Sequence, residues 1–389
     1  MVPPSNTLYN ERRLQNLFQD IDVNYLSNTF STGRLQELIA FICLVCIPCV
    51  PINADDSYSF FVVGDSQYLA EKSRQPSRLD PYSERGSQRF FDLVSSFRGR
   101  EIPERLGGGK VSENILGMII TGDLIDSADK NGGPYPAMQE FEWSRFKKDF
   151  GLLGNDGRLP FPVYELHGNH DGPQGDTFII SDIVSRNRTR PGVTGTSANG
   201  LHYAWDWGPI HFINAGIFVG LGDSRRDGHH YAARASLEFV QRDLKLNVGN
   251  SGKPVIISFH LHPNCPEFDW PEEDLAALWN VTQQYNVIAL FHGHTHGSPP
   301  SRMLWDGKQF GGRLESGIPL FNPDDAFAAK TDSQNPTKGQ GINHGFLYVE
   351  IQDMPGFDGD TMNVRSYFSK DNWETHDWRD QWKNKVSIP

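Results

Sequence analysis

The chain has 389 residues, 38% hydrophobic and 22% charged, with a formal net charge of −12. That length and apolar content suffice for a folded protein with a sizeable core, and the acidic balance argues against a generic nucleic-acid or anionic-membrane surface. Aromatics at 12%, with 38 Gly and 25 Pro, suit a loop-rich enzyme better than a helical bundle.

The first feature in chain order is the apolar run "LIAFICLVCIPCV", Leu38 to Val50, which follows a polar stretch and Arg34. It is shorter than the roughly 20 residues of a membrane span and suits a secretory signal. Ala54 in "PINA" offers a cleavage point. The expected organisation is an N-terminal extension and signal peptide over 1–54, then one catalytic domain over 55–389. The product would be secreted or lumenal, without a membrane span after cleavage; the long polar start keeps a signal anchor as the alternative. Cys43, Cys46 and Cys49 belong to the run. Cleavage would leave Cys265 alone, with no internal disulfide. The sequons at Asn187 and Asn280 are compatible with a glycoprotein.

Beyond residue 55 strands and helices alternate. "SYSFFVVGD" predicts a buried strand, "SQRFFDLVSSFRG" an amphipathic helix, "NILGMIITGD" a second strand and "MQEFEWSRFKKDFG" a second helix. "FPVYELHGNHD" predicts a third strand. "LHYAWDWGPIHFINAG" reads as a hairpin turning at Gly208-Pro209. "RASLEFVQRDLKL" is helical, "KPVIISFHLHP" a strand, "EEDLAALWNVTQQY" a helix and "NVIALFHGHTH" a strand. "HGFLYVEI" and "TMNVRSYF" are strand-like pieces of the tail. The pattern is α/β.

Each main strand ends beside a group able to bind a metal: Asp65, Asp123, Asn169 with His170, His260, and His294 with His296. In open α/β folds the carboxyl ends of the strands share one edge, where ligands bind. Carboxylate, amide oxygen and imidazole together suit manganese, iron or zinc. Two such ions can clamp the attacking and leaving oxygens of a phosphoryl transfer.

The ordered pieces GDSQ, GDLID, GNHD, FH and GHTH resemble the calcineurin-like metallophosphoesterase superfamily. The resemblance implies a four-layer αββα sandwich, two mixed β-sheets flanked by helices. It implies that Asp65 and His296 bind a first metal, that Asp123 bridges, and that Asn169, His260 and His294 bind a second. His170 would contact the phosphate and protonate the leaving group, with Asp171 orienting it. The family's usual Asp-x-His is here Asp65-Ser66-Gln67, so Gln67 is expected to offer a neutral oxygen to the first metal or to bond a water on it. His260 is preferred over His262 as ligand, which leaves His262 to touch substrate or merely to precede Pro263; His292 is expected to be structural. His202 would face the cleft or pack across strands. Arg186, in "SRNRTR", and the cluster Arg74, Arg78, Arg85 and Arg89 would hold phosphate or lie solvated on the surface.

The expected function is a dinuclear-metal phosphatase in which a metal-bound hydroxide attacks phosphorus. Its substrate would be a phosphorylated small molecule, lipid headgroup such as a phosphoinositide, or peptide. The alternatives are a phosphodiesterase on nucleotide or phospholipid-headgroup substrates and a non-catalytic phosphate-binding protein of the same fold.

Overall fold

The computed structural model describes residues 57–386 except 173–176, 224–230, 264–269, 297–298, 309–316, 329–342 and 353–359. The apolar run at 38–50 and all four cysteines lie outside the described residues. Among the described residues no helix is long and apolar enough to cross a membrane.

Strands β1 (Tyr58–Val63), β2 (Ile115–Ile120) and β3 (Val163–Glu165) are parallel neighbours in one sheet. That sheet continues through antiparallel β11 (His344–Gln352), β12 (Asp360–Ser369) and β13 (Asp377–Val386), in the order β13-β12-β11-β1-β2-β3. The second sheet runs β4 (Val193–Thr196), β5 (Tyr203–Trp207), β6 (Ile210–Asn214), β7 (Val255–Ser258), β8 (Val287–Phe291), β10 (Ile318–Asn322), β9 (Ser301–Trp305). Within it β6, β7, β8 and β10 are parallel. The β5–β6 hairpin pairs Trp207 with Ile210, so it turns at Gly208-Pro209 as the alternation predicts.

The strands alternate their apolar residues between layers, as a period of two requires. Phe60 and Val62 of β1 point into the core between the sheets with Ile119, Trp205, Phe212 and Ile256. Phe61 and Val63 point the other way, into a second core. Helices α1 (Pro81–Ser95), α2 (Tyr135–Phe150) and α3 (Phe178–Thr189) close that core with Phe90, Phe91, Phe146, Phe150 and Ile183. On the far side α4 (Ser236–Asp243) and α5 (Glu272–Thr282) cover the second sheet with Leu237, Val240, Leu275 and Leu278. Two mixed sheets between helical layers make the expected αββα sandwich. Helix starts follow local chemistry. Asp80 caps α1 by accepting from the Tyr82 amide at 2.8 Å, with Pro81 at its first position.

Among the described residues, five strands and α-helices lie outside the sequence expectations: α3, β4, β9, β10 and β13. The first absorbs most of "SRNRTR": Arg186 and Arg188 sit on its last turn and Arg190 is its C-cap.

Candidate metal centre

The parallel strands of both sheets bring their carboxyl ends to one edge. Asp65 follows β1, Asp123 follows β2, and Asn169 and His170 follow β3. His260 follows β7, and His294 and His296 follow β8. The turns there are tight. Gly122 adopts a left-handed φ of 99°, and a Cβ on it would lie 2.6 Å from His260 Nδ1. A Cβ on Gly168 would sit 2.1 Å from Asp123 Oδ1. Either side chain would push the donors apart, so glycine is required at both positions. Among the described residues, eight non-glycine residues have positive φ, and Gln67, Asp123, His294 and Asp324 are four of them. Backbone strain of this kind concentrates at functional sites.

Two donor groups emerge. One atom each from Asp123, His260 and His294 lie within 4.8 Å of one another, and the same holds for Asp65, His296 and Asp325. His260 Nδ1 donates to the Thr121 carbonyl at 2.7 Å, which turns Nε2 toward Asn169 Oδ1 at 3.0 Å and Asp123 Oδ2 at 3.1 Å. A backbone acceptor on the far ring nitrogen is how a metal-binding imidazole is aimed. The His294 amide donates to both Asp65 oxygens at 3.0 and 3.2 Å, tying the two groups together. Gln67 is buried among them, with its amide 3.5 Å from Asp123 Oδ2.

The charges suit cation binding. Burial pushes Asp65 up to about 7, against the pull of His296 and His260. Burial also works against Asp123, but His260, His170 and His294 outweigh it and hold this carboxyl well below the usual range. Burial and the neighbouring His260 drive His294 down to about 2, so it is neutral and its ring can coordinate. Buried carboxylates packed against imidazoles form a donor set for a borderline or hard divalent ion, and the residues present fit manganese, iron or zinc.

His170 lies at the rim, with its side chain 23% exposed. Its amide donates to Asp123 Oδ1 at 2.8 Å, and its Nδ1 lies 2.9 Å from the Asp126 carbonyl and 3.5 Å from Asp129 Oδ1. Burial lowers its pKa, but Asp123, Asp129 and Asp126 more than offset this and raise it to about 10.

Asp171 does not orient His170. Its carboxylate is fully buried and accepts from the amides of Leu124 (2.9 and 3.1 Å), Ile125 (3.1 Å) and Gly168 (2.8 Å). Three inward-facing amides claim it, so it fixes the two turns that present Asp123 and Asn169. Arg186, expected at the substrate, is engaged by the fold. It pairs with buried Glu165 at 2.7 Å and donates to the Gly151 carbonyl, and Arg190 joins the same Glu165 at 2.7 Å. His202 is fully buried, 3.2 Å from the Arg234 carbonyl and packed on Phe239, so it serves packing rather than the cleft. His262 is buried with its ring 4.5 Å from that of His292. Asn187 is buried and donates to the Gly200 and Leu201 carbonyls, which leaves no room for a glycan, whereas Asn280 is exposed. Of the first arginine cluster, Arg78 pairs with Glu71 and Arg89 holds the Asn372 carbonyl.

Three residues at the site were not anticipated: Asp126, Asp129 and Asp325. The GDLID piece already placed a second acidic residue three after Asp123. "PLFNPDD" ends an apolar run in carboxylates, the same signal that marked Asp65 and Asp123.

The family model for calcineurin-like phosphoesterases matches residues 58–298. Purple acid phosphatase 23 of Arabidopsis thaliana is 26% identical over 144 residues, which span 35% of this chain and 28% of that protein. The solved structure of PhoD aligns at 9% identity with a TM-score of 0.41, covering 85% of this chain and 72% of PhoD. A novel phosphatase from Mycoplasma pneumoniae aligns at 12% identity with a TM-score of 0.33, covering 86% and 96% respectively. With more than half of its length matched and the motif residues gathered at one strand edge, the chain belongs to the calcineurin-like phosphoesterase family.

Proposed function

We propose that residues 55–389 form the catalytic unit of a metal-dependent phosphoester hydrolase that releases phosphate from a monoester. The observation that carries this is the pair of adjoining donor groups, Asp123/His260/His294 and Asp65/His296/Asp325. The likeness to a purple acid phosphatase supports the monoester reading.

Two ions of manganese, iron or zinc would be held by Asp65, His296 and Asp123 on one side, and by Asp123, Asn169, His260 and His294 on the other. Gln67 adds an amide at the first position. Bound there, a metal pair supplies an acidified water and a clamp on the phosphate oxygens. The chain's own residues do the rest. Asp123 and Asp65, held by backbone amides, arrive with fixed orientation. The Asp126 carbonyl accepts a hydrogen bond from His170 Nδ1, which leaves Nε2–H to meet a phosphate oxygen and to protonate the departing alkoxide. Asp129 balances the imidazolium charge. His262, beside His260, is the remaining candidate for substrate contact. The substrate is a phosphorylated small molecule, lipid headgroup or peptide. The secretory location belongs to the same proposal and rests on the run at 38–50.

The test uses the purified full chain with Mn²⁺ and compares a nitrophenyl phosphate monoester with the bis-nitrophenyl diester. Faster monoester turnover, lost in Asp123→Asn, is the expected result. Diester preference would move the assignment to a phosphodiesterase. Two bound ions with no turnover of either probe or of phosphoinositide and phosphopeptide panels would leave a phosphate-binding protein.

A further inference from the structure

Asp325 lies in the turn that follows β10, beyond the residues that the family model matches. It is 1% exposed, and among the described residues neither of its carboxylate oxygens meets a donor with hydrogen-bond alignment. Its one close polar neighbour among the described residues is His296, whose Nδ1 is 2.8 Å from Asp325 Oδ1, an ion-pair distance for a protonated ring. Asp65 Oδ2 stands 3.6 Å from His296 Nε2. Two buried carboxylates thus flank one imidazole. With Asp123 included, three buried carboxylates share His296 and His260, whose Nδ1 lies 3.6 Å from Asp65 Oδ1 and whose Nε2 lies 3.1 Å from Asp123 Oδ2. An uncompensated buried charge costs several kcal/mol, unless a cation supplies the balance.

The turn is held in place by more than this contact. The Gly64 amide donates to the Asp324 carbonyl and the Ala326 amide to the Asp65 carbonyl, both at 3.1 Å. The Asp324 amide donates to Asn322 Oδ1 at 2.8 Å, and the Asp325 amide to Asp324 Oδ1 at 2.9 Å. Asp324 itself adopts a φ of 68°, a conformation that costs a non-glycine residue stability. The strain and the lacing aim a carboxylate at Asp65 and His296, where an apolar residue would pack at lower cost.

The geometry points to Asp325 as a third protein donor to the metal at the Asp65/His296 position, supplying the anionic ligand where Gln67 stands in place of the family's usual histidine. This rests on the dinuclear reading above. Exchanging an imidazole for a second carboxylate hardens that position, so it favours Mn²⁺ over Zn²⁺ more than the Asp123/His260/His294 position does.

The experiment measures Mn²⁺ stoichiometry and stepwise affinity by calorimetry and elemental analysis on the full-length wild type, Asp325→Asn, Asp325→Ala and His294→Ala. Melting of each metal-free protein is recorded alongside. The wild type is expected to bind two ions. Asp325→Asn should weaken one step at least tenfold and leave the other unchanged, and His294→Ala should weaken the opposite step. Metal-free Asp325→Asn should melt at or above the wild-type temperature, since it has lost a buried charge. Wild-type affinities at both steps in Asp325→Asn and Asp325→Ala would overturn the assignment. So would a metal-free Asp325→Asn that has unfolded, because the carboxylate would then hold the turn and not an ion. A wild type that takes up no metal would overturn the dinuclear reading itself, a result that the variant comparison cannot mimic.

Discussion

His170 and Asp171 are neighbours in sequence with separate duties. His170 presents a partly exposed ring beside Asp123, with its far nitrogen against the Asp126 carbonyl. Replacing it by Asn should leave metal content intact and lower kcat by ~10²–10⁴, the usual worth of general acid catalysis. The loss should be larger for an alkyl phosphate than for nitrophenyl phosphate, because the poorer leaving group needs the proton more. Equal losses on both substrates would remove the acid role. Asp171 should behave differently, since its oxygens face three amides and no substrate. In Asp171→Asn an NH₂ group would oppose one of those donors. The variant should lose about 1–3 kcal/mol of stability with or without metal, read by thermal melting. A purely catalytic defect would contradict the structural role.

At the scale of elements, most of the site was legible because each donor follows an apolar run and a glycine or histidine. Asp65, Asp123, Asn169, His260, His294 and His296 are therefore placed on one edge by the sequence alone. Asp325 escaped this reading because its strand contains Pro319, which breaks the look of a buried strand. The charged β13, at the sheet edge, was hidden by its own solubility. Which way a side chain turns was not legible, as Arg186 and His202 show: both lie on predicted or polar segments and both face inward. His211 makes a further point about elements. On β6 it joins Asp206 of β5 at 2.7 Å and Asp243 of α4 at 2.6 Å, while Lys253 also reaches Asp206. Burial opposes its charge, but both carboxylates outweigh burial and raise its pKa above the free value. Its stabilising effect is therefore full below about pH 6.5 and fades as pH climbs through the higher folded pKa. The wild type should lose melting temperature across that rise, and His211→Gln should lose less; parallel curves would show that this imidazole is not charged in the fold.

At the scale of the whole molecule, the two sheets meet their functional demand at a single edge, and neither sheet holds a complete centre. The first sheet brings Asp65, Asp123, Asn169 and His170, and the second brings His260, His294, His296 and Asp325. A metal pair would therefore bridge the two sheets as well as serve chemistry, and its removal should be felt globally. Ligand that binds only the folded state stabilises by about 2.7 kcal/mol at a hundredfold excess over Kd. For a domain of this size that corresponds to a melting shift of ~4 °C. Chelation should therefore lower the melting temperature by several degrees and abolish turnover together, and Mn²⁺ should restore both. The core between the sheets, with Phe60 edge-on to Phe212 at 5.3 Å, gives the control. Phe60→Ala should cost about 3–5 kcal/mol in metal-free and metal-loaded protein alike. If chelation removed turnover but left the melting temperature unchanged, the ions would not favour the folded over the unfolded chain, and the picture of a centre that staples the sandwich would fall.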